Sequence, residues 1–188
     1  MDSLDSSFDE LMRTLPRPSP LRPQGGDPVF YLVFRPPETL EVKRRIPAWC
    51  GRLSHDLNWR ARVISWSDLM RKAAMAGGGW NRLVAAEPDF DLAEVNRSVA
   101  EAIHSNIASL IEPPLTQTSE GTVNFFVDTE MLHPFLRARS IEAEFHDRIV
   151  VPTVVFYPGR RSGTTGLSFL GIYPDDPSYR ATIVGGLA

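Results

Sequence analysis

"PVFYLVF", from Pro28 to Phe34, decides how this chain folds. It is a continuous apolar run of strand type, held between Pro28 on one side and Pro36-Pro37 on the other. A strand with one wet face alternates apolar and polar residues, whereas an unbroken run belongs to a strand buried on both faces. The run therefore predicts a sheet covered by helices on its two sides.

Outward from that strand the pattern repeats. After the prolines, Val42, Ile46, Trp49, Leu53 and Leu57 recur at steps of three and four, which predicts a helix that Pro47 should kink or divide. Lys43, Arg44 and Arg45 lie largely off that apolar stripe and are expected to face water. "ARVISWSDLM" reads as a second strand, Arg62 to Trp66, followed by a helix capped by Ser67 or Asp68 and ended by "AGGGW". A further helix, Leu92 to Ile111, carries Leu92, Val95, Val99, Ile103, Ile107 and Leu110 on one stripe, and "EPPLTQTSEG" closes it. "TVNFFVD" is a third strand ending at Asp128, and "HPFLRARSIEAEFHDRI" a helix entered through Pro134. "PTVVFYPG" is a fourth strand, and "GLSFLGIY" a fifth that is close enough for an antiparallel hairpin. Strands separated by helices predict a three-layer, Rossmann-like α/β fold: a mainly parallel sheet of four to five strands with helices on both faces.

Ahead of the first strand, "DSSFDELMRTL" forms a short amphipathic helix, and "PRPSPLRPQGGDP" holds too many prolines for helix or ladder. The expected organisation is thus an N-terminal helix and proline-rich connector over residues 1–27, then a single α/β domain over residues 28–188. A chain of 188 residues fits one such core. Its 43% hydrophobic and 23% charged residues exclude both a disordered chain and a membrane-embedded one. No apolar run approaches a bilayer span and the N-terminal stretch is acidic, so a cytoplasmic location is expected. Cys50 is the only cysteine, which excludes an internal disulfide and multi-cysteine zinc sites; beside Trp49 it reads as a small core residue.

The net charge of −3 is uneven. Residues 35–82 hold ten Lys/Arg against four Asp/Glu, and residues 83–188 hold seven against fourteen. The basic segment could form a DNA-binding face or the solvated side of a helix; the overall acidity favours the second.

A parallel sheet invites a nucleotide at the carboxyl ends of its strands, but the usual equipment is missing. No glycine precedes either lysine, Lys43 or Lys72, so there is no P-loop, and no G-x-G-x-x-G opens a helix after a strand. "YPGRRSG" after the fourth strand suggests a phosphate cradle, yet Pro158 removes a backbone donor and the chain runs on to another strand. It reads instead as a Pro-Gly stop, with Arg160 and Arg161 in an exposed connection that offers a partner surface. The densest polar group is "DTEMLH": Asp128, Glu130 and His133 could ligate a metal or exchange protons, or Asp128 and Thr129 could cap the next helix. Glu142 and His146 lie one helical turn apart but lack the second histidine of a zincin. No cofactor is expected.

The C-terminal third resembles the BrxB family of the bacterial BREX phage-defence systems. The resemblance rests on "PFLRA" (Pro134, Phe135, Leu136, Arg137, Ala138), on "YPG" (Tyr157, Pro158, Gly159) and on "DD..YRA" (Asp175, Asp176, Tyr179, Arg180, Ala181). "PVFYLVFRPP" also fits the family's early strand. Two places depart from it: "VDTEMLH" stands where a glycine-containing turn is expected, and the chain ends in "TIVGGLA" rather than an aromatic, basic segment. The resemblance implies a small accessory protein, working beside a DNA methyltransferase, a large ATPase and the phosphatase-like PglZ protein. It implies a non-enzymatic adaptor that docks onto PglZ and supports assembly of the methylation/restriction complex. The alternative from the residues alone is a metal-dependent hydrolase or nuclease using Asp128, Glu130 and His133.

Overall fold

The computed structural model describes residues 4–15, 28–76, 81, 84–85, 91–117, 120–177, 179 and 181–186, apart from the side chains of residues 141 and 142. The proline-rich connector, Gly77–Trp80, Arg82 and Arg180 lie outside the described residues, as does the side chain of Glu142. Helices are α1 (Leu4–Thr14), α2 (Thr39–Leu57), α3 (Trp66–Met75), α4 (Leu92–Thr116) and α5 (Ala138–Glu144). Strands are β1 (Val29–Phe34), β2 (Arg60–Ser65), β3 (Thr122–Val127), β4 (Thr153–Ser162), β5 (Gly166–Phe169) and β6 (Thr182–Gly185).

Five strands run parallel in the order β2-β3-β4-β1-β6, and β5 pairs antiparallel with the far half of β4. The three-layer α/β expectation holds. The unbroken run of β1 is explained residue by residue: Val29, Tyr31 and Val33 belong to one core, with α3, α4 and Phe145, while Phe30, Leu32 and Phe34 belong to the other, with α1 and α2. Successive side chains of a strand point to opposite faces, so each core receives alternate residues and neither face is left to water. Phe8 of α1 stacks on Trp49 of α2 with centroids 4.6 Å apart, and Phe125 meets Phe156 edge to face beneath them.

Helix α1 is further fixed by Asp9 with Arg52 at 2.6 Å and by Asp5 with Arg45. The Arg45 guanidinium holds the Asp5 carboxyl below its ordinary range. At its other side, Glu10 accepts a bond from the backbone N–H of Gly185 in β6 at 3.0 Å. Helix α1 thus covers one edge strand, and Arg60 and Arg62 occupy the other, β2.

Several boundaries differ from expectation. Strand β6 is an additional strand, formed by "TIVG" against β1. Strand β2 begins two residues early and Ser65, not Ser67 or Asp68, caps α3, accepting from the Asp68 N–H at 3.3 Å. Helix α2 runs undivided through Pro47, because its buried stripe, Val42, Ile46, Trp49 and Leu53, anchors both halves to one sheet face. Helix α4 continues through Pro113 and Pro114 to Thr116, and the Pro114 carbonyl takes a bond from the buried Asn124 amide at 2.7 Å. Its buried residues are Ile103, Ile107, Ile111 and Leu115, whereas Leu92 is exposed. After β3 the expected long helix shrinks to α5. Pro134 disfavours helical backbone at the residue before it, His133 is accordingly extended (φ −71°, ψ 136°), and the helix starts only at Ala138.

The largest revision concerns "YPGRRS". Strand β4 does not stop at Pro-Gly but passes through it to Ser162. Pro158 is the last residue registered with β1, opposite Phe34, so its missing N–H falls where the parallel ladder ends. At Gly159 the strand changes partner and pairs with Phe169 of β5. A Cβ on Gly159 would lie 2.3 Å from the Ser168 carbonyl oxygen and 2.7 Å from the Tyr157 ring. Only glycine allows that approach. Arg160 and Arg161 are therefore strand residues opposite Ser168 and Leu167, not a loop; Arg160 is exposed and Arg161 half-buried, bonding the Gly163 carbonyl at 3.1 Å.

Two glycine substitutions should move stability in opposite directions. Gly159→Ala should lower it by about 1–3 kcal/mol through overpacking. Gly51→Ala, in α2 with nothing within 4 Å of the new methyl, should raise it by about 0.5–1 kcal/mol. Urea unfolding midpoints of the two variants check this; an unchanged midpoint for Gly159→Ala would contradict the packing given for the junction.

Candidate functional site

The carboxyl ends of the parallel strands carry two polar clusters, which is the edge where open α/β sheets place their sites. The first follows β2 and β3. The Lys43 ammonium, reaching over from α2, donates to Asp128 at 2.8 Å and to Glu130 at 2.6 Å. Ser65, at the end of β2, donates to the other oxygen of Asp128. Burial draws the Lys43 ammonium down, but its bonds to the two carboxylates outweigh that and hold it above its ordinary value. Asp128 sits in left-handed backbone (φ 62°, ψ 34°), the conformation a glycine would take at no steric cost. The turn that was expected to contain glycine is thus built with an aspartate whose carboxylate fastens α2 and β2 to β3. It makes no side-chain cap to the short 3-10 turn that follows, Thr129–Leu132.

His133 is not part of this group. Its Nδ1 meets the Tyr173 hydroxyl. Asp128, Glu130 and His133 therefore do not converge on one point, and the two that approach each other do so around an ammonium. Among the described residues, no three His, Cys, Asp or Glu side chains are grouped to share a metal ion.

The second cluster surrounds a cavity of about 390 Å³ after β4. Its walls come from three separated parts of the chain: Arg137 and Arg139 at the start of α5, Tyr157 at the end of the parallel half of β4, and Tyr173, Asp176 and Tyr179 after β5. Tyr157 and Tyr179, both buried, share a bond between hydroxyls at 3.2 Å and stand edge to face with Tyr31. Burial, followed by the neighbouring Tyr179, pushes the Tyr157 phenol far above its ordinary value. Arg139 Nη1 donates to both Asp176 oxygens, at 2.8 and 2.7 Å, and the Asp176 backbone is bridged to Leu167 of β5 by two bonds of 3.0 Å. The Arg137 guanidinium lies over the Tyr173 ring, 3.6 Å from its centroid. Tyr173 is held from behind by stacking on Phe169, and its carbonyl accepts from Ser168 at 2.8 Å.

Of the residues singled out in "PFLRA", "YPG" and "DD..YRA", Arg137, Ala138, Tyr157, Asp176 and Tyr179 line this one cavity. Leu136 is buried, Phe135 and Ala181 pack against the same core, Pro158 and Gly159 make the junction below, and Pro134 and Asp175 are exposed. Lys43, Arg139 and Tyr173 were not foreseen. Lys43 carried a signal only in being one of two lysines, and its partners lie more than 80 residues away.

The basic segment 35–82 is largely answered by carboxylates. Arg35 pairs with Glu38, Arg45 with Glu41 and Asp5, Arg52 with Asp9, and Arg71 with Asp68. Burial raises the Cys50 thiol and its side chain packs against the α1–α2 core, as expected of a small core residue. No helix among the described residues is long and apolar enough to cross a membrane.

Comparison with known proteins adds one match: the family model described as "BREX protein BrxB" covers residues 63–184, more than half of the chain. No curated protein and no solved structure matches it.

Two outcomes are expected here. Lys43→Met, which leaves Asp128 and Glu130 facing each other without a cation, should cost about 1 kcal/mol in urea unfolding, since the group is partly exposed. The Tyr157 phenol has its folded pKa raised, so its contribution is fully present below the unfolded value of about 10. Above that pH the unfolded chain ionises first, and stability should fall by about 1.4 kcal/mol per pH unit for this group. Unfolding free energies at pH 8, 10 and 11 should therefore fall less steeply for Tyr157→Phe than for the parent; identical slopes would contradict the buried phenol.

Proposed function

Because the chain belongs to the BrxB family of BREX proteins, we propose that it acts in the cytoplasm as a non-enzymatic adaptor, docking onto the PglZ protein and supporting assembly of the methylation/restriction complex. Membership in the family implies involvement in BREX phage defence. The observation that carries the adaptor reading is the convergence described above. Residues from three separate segments, read as family markers in the sequence, meet in one cavity rimmed by tyrosine and arginine. Those two residue types dominate the energetics of protein–protein contacts, because each offers a large rigid surface with a polar tip. The exposed Arg160 and the half-buried Arg161, on the β4–β5 hairpin, are further candidates for the proposed contact surface.

The reading is also supported by how the polar residues are used. Lys43, Asp128, Glu130 and Ser65 satisfy one another, as do Arg139 and Asp176. Such internal pairing fixes the positions of strands and helices, which a recognition surface requires.

Expression of the tagged chain with the other BREX proteins, followed by purification and mass spectrometry, should recover PglZ in stoichiometric amount. Paired substitution of Tyr173→Ala and Arg139→Ala should reduce that recovery at least tenfold, measured at a temperature where circular dichroism shows the variant folded. Recovery of the methyltransferase or ATPase without PglZ would reject the stated partner. Turnover of ATP or cleavage of DNA abolished by Asp128→Ala would reject the adaptor.

A further inference from the structure

Resting on that reading, we propose that the cavity after β4 is a receptor for a carboxylate side chain of the protein partner, with Arg137 as the group that binds it. The guanidinium of Arg137 is planar, and its five N–H donors lie in that plane. Stacked 3.6 Å above the Tyr173 ring, it spends its face on the aromatic and keeps its edge for something else. Among the described residues no carboxylate or carbonyl takes those donors. The nearby cation, Arg139, is committed to both oxygens of Asp176, which also neutralises the one acid among the described lining residues. Among the described residues lining the cavity, one positive charge is left, that of Arg137.

That arithmetic selects the ligand. A single guanidinium edge matches a monovalent carboxylate, which takes two parallel N–H bonds in a fixed plane. A phosphate group carries close to two negative charges and is bound by several free cations, whereas the second cation here, Arg139, is held by Asp176. The Tyr173 platform is immobilised from three sides, by His133 at its hydroxyl, by Phe169 at its ring and by Ser168 at its carbonyl. Arg137 is thereby held in its binding pose before the ligand arrives, which lowers the ordering cost of association. At about 390 Å³ the cavity admits one side chain with its backbone, and the buried Tyr157 and Tyr179 form its floor.

The test uses the full chain and small probes. Nuclear magnetic resonance titrations with N-acetyl-glutamate N-methylamide, the corresponding glutamine compound and inorganic phosphate follow the Arg137 Nε–H and the Tyr173 ring signals. Saturable shifts are expected with the glutamate probe, at least tenfold weaker binding of the glutamine probe, and at least tenfold loss of glutamate binding in Arg137→Gln. Arg137→Lys, which keeps charge but not the planar fork, should restore only a small part. Equal binding of glutamate and glutamine probes, no shift at Arg137, or phosphate binding tenfold tighter than glutamate would each overturn the proposal. The PglZ reading is separated by co-purification: PglZ recovered equally by the parent and Arg137→Gln overturns the carboxylate receptor and leaves the adaptor standing. Glutamate binding without PglZ recovery does the reverse.

Discussion

The cavity on the carboxyl side of the sheet depends on strand β4 changing partners at Pro158–Gly159. From Thr153 to Val155 the strand is registered with both β1 and β3, to Pro158 with β1, and from Gly159 with β5; its parallel half contributes to both cores. The change needs a residue that can forgo an N–H at the end of one ladder and another that can forgo a side chain at the start of the next. Proline and glycine meet these two needs in that order. Because the hairpin leaves the sheet here, Leu167 and Phe169 are carried over the end of β4, and the segment bearing Tyr173, Asp176 and Tyr179 folds back against them. Remove the switch and the cavity loses two of its walls.

The fold was legible where burial dictated composition. An apolar run with no alternation can serve only a strand that feeds two cores, and β1 does so residue by residue. Helix positions with a clean stripe were legible for the same reason. Legibility failed where tertiary contacts overrode local rules. Pro158 looked like a stop because a central strand excludes proline, but it coincides with the last registered pair of one ladder. Pro47, Pro113 and Pro114 looked like breaks, yet the buried residues on both sides of each keep the helix whole. Strand β6 was missed because four residues carry too little pattern to be told from a tail.

The site was legible as a set of markers and not as a geometry. "PFLRA", "YPG" and "DD..YRA" pointed to residues that do meet, although no spacing along the chain says that they should. Asp128 and Glu130 were visible as a polar cluster, but the partner that determines their role is Lys43, which local periodicity assigned to solvent. Ion pairs between distant segments leave no periodic trace, so a cluster's chemistry cannot be read until its long-range counter-charge is known. His133 shows the same limit from the other side, being adjacent to the carboxylates in sequence and turned to an aromatic ring in space.

Helix α1 joins Glu10 to Gly185, a contact across 175 positions. Synthesis proceeds from the N-terminus, so the helix emerges long before the strand that it covers, and Phe8 and Leu11, fully buried in the finished protein, have no complete shelter in the interval. Parallel sheets impose such delays generally, since their neighbours are distant along the chain. Here the delay falls on the apolar face of α1, which precedes every strand that it packs against. The feature that seals the sheet edge in the folded protein is thus completed only by the last strand to be synthesised, β6.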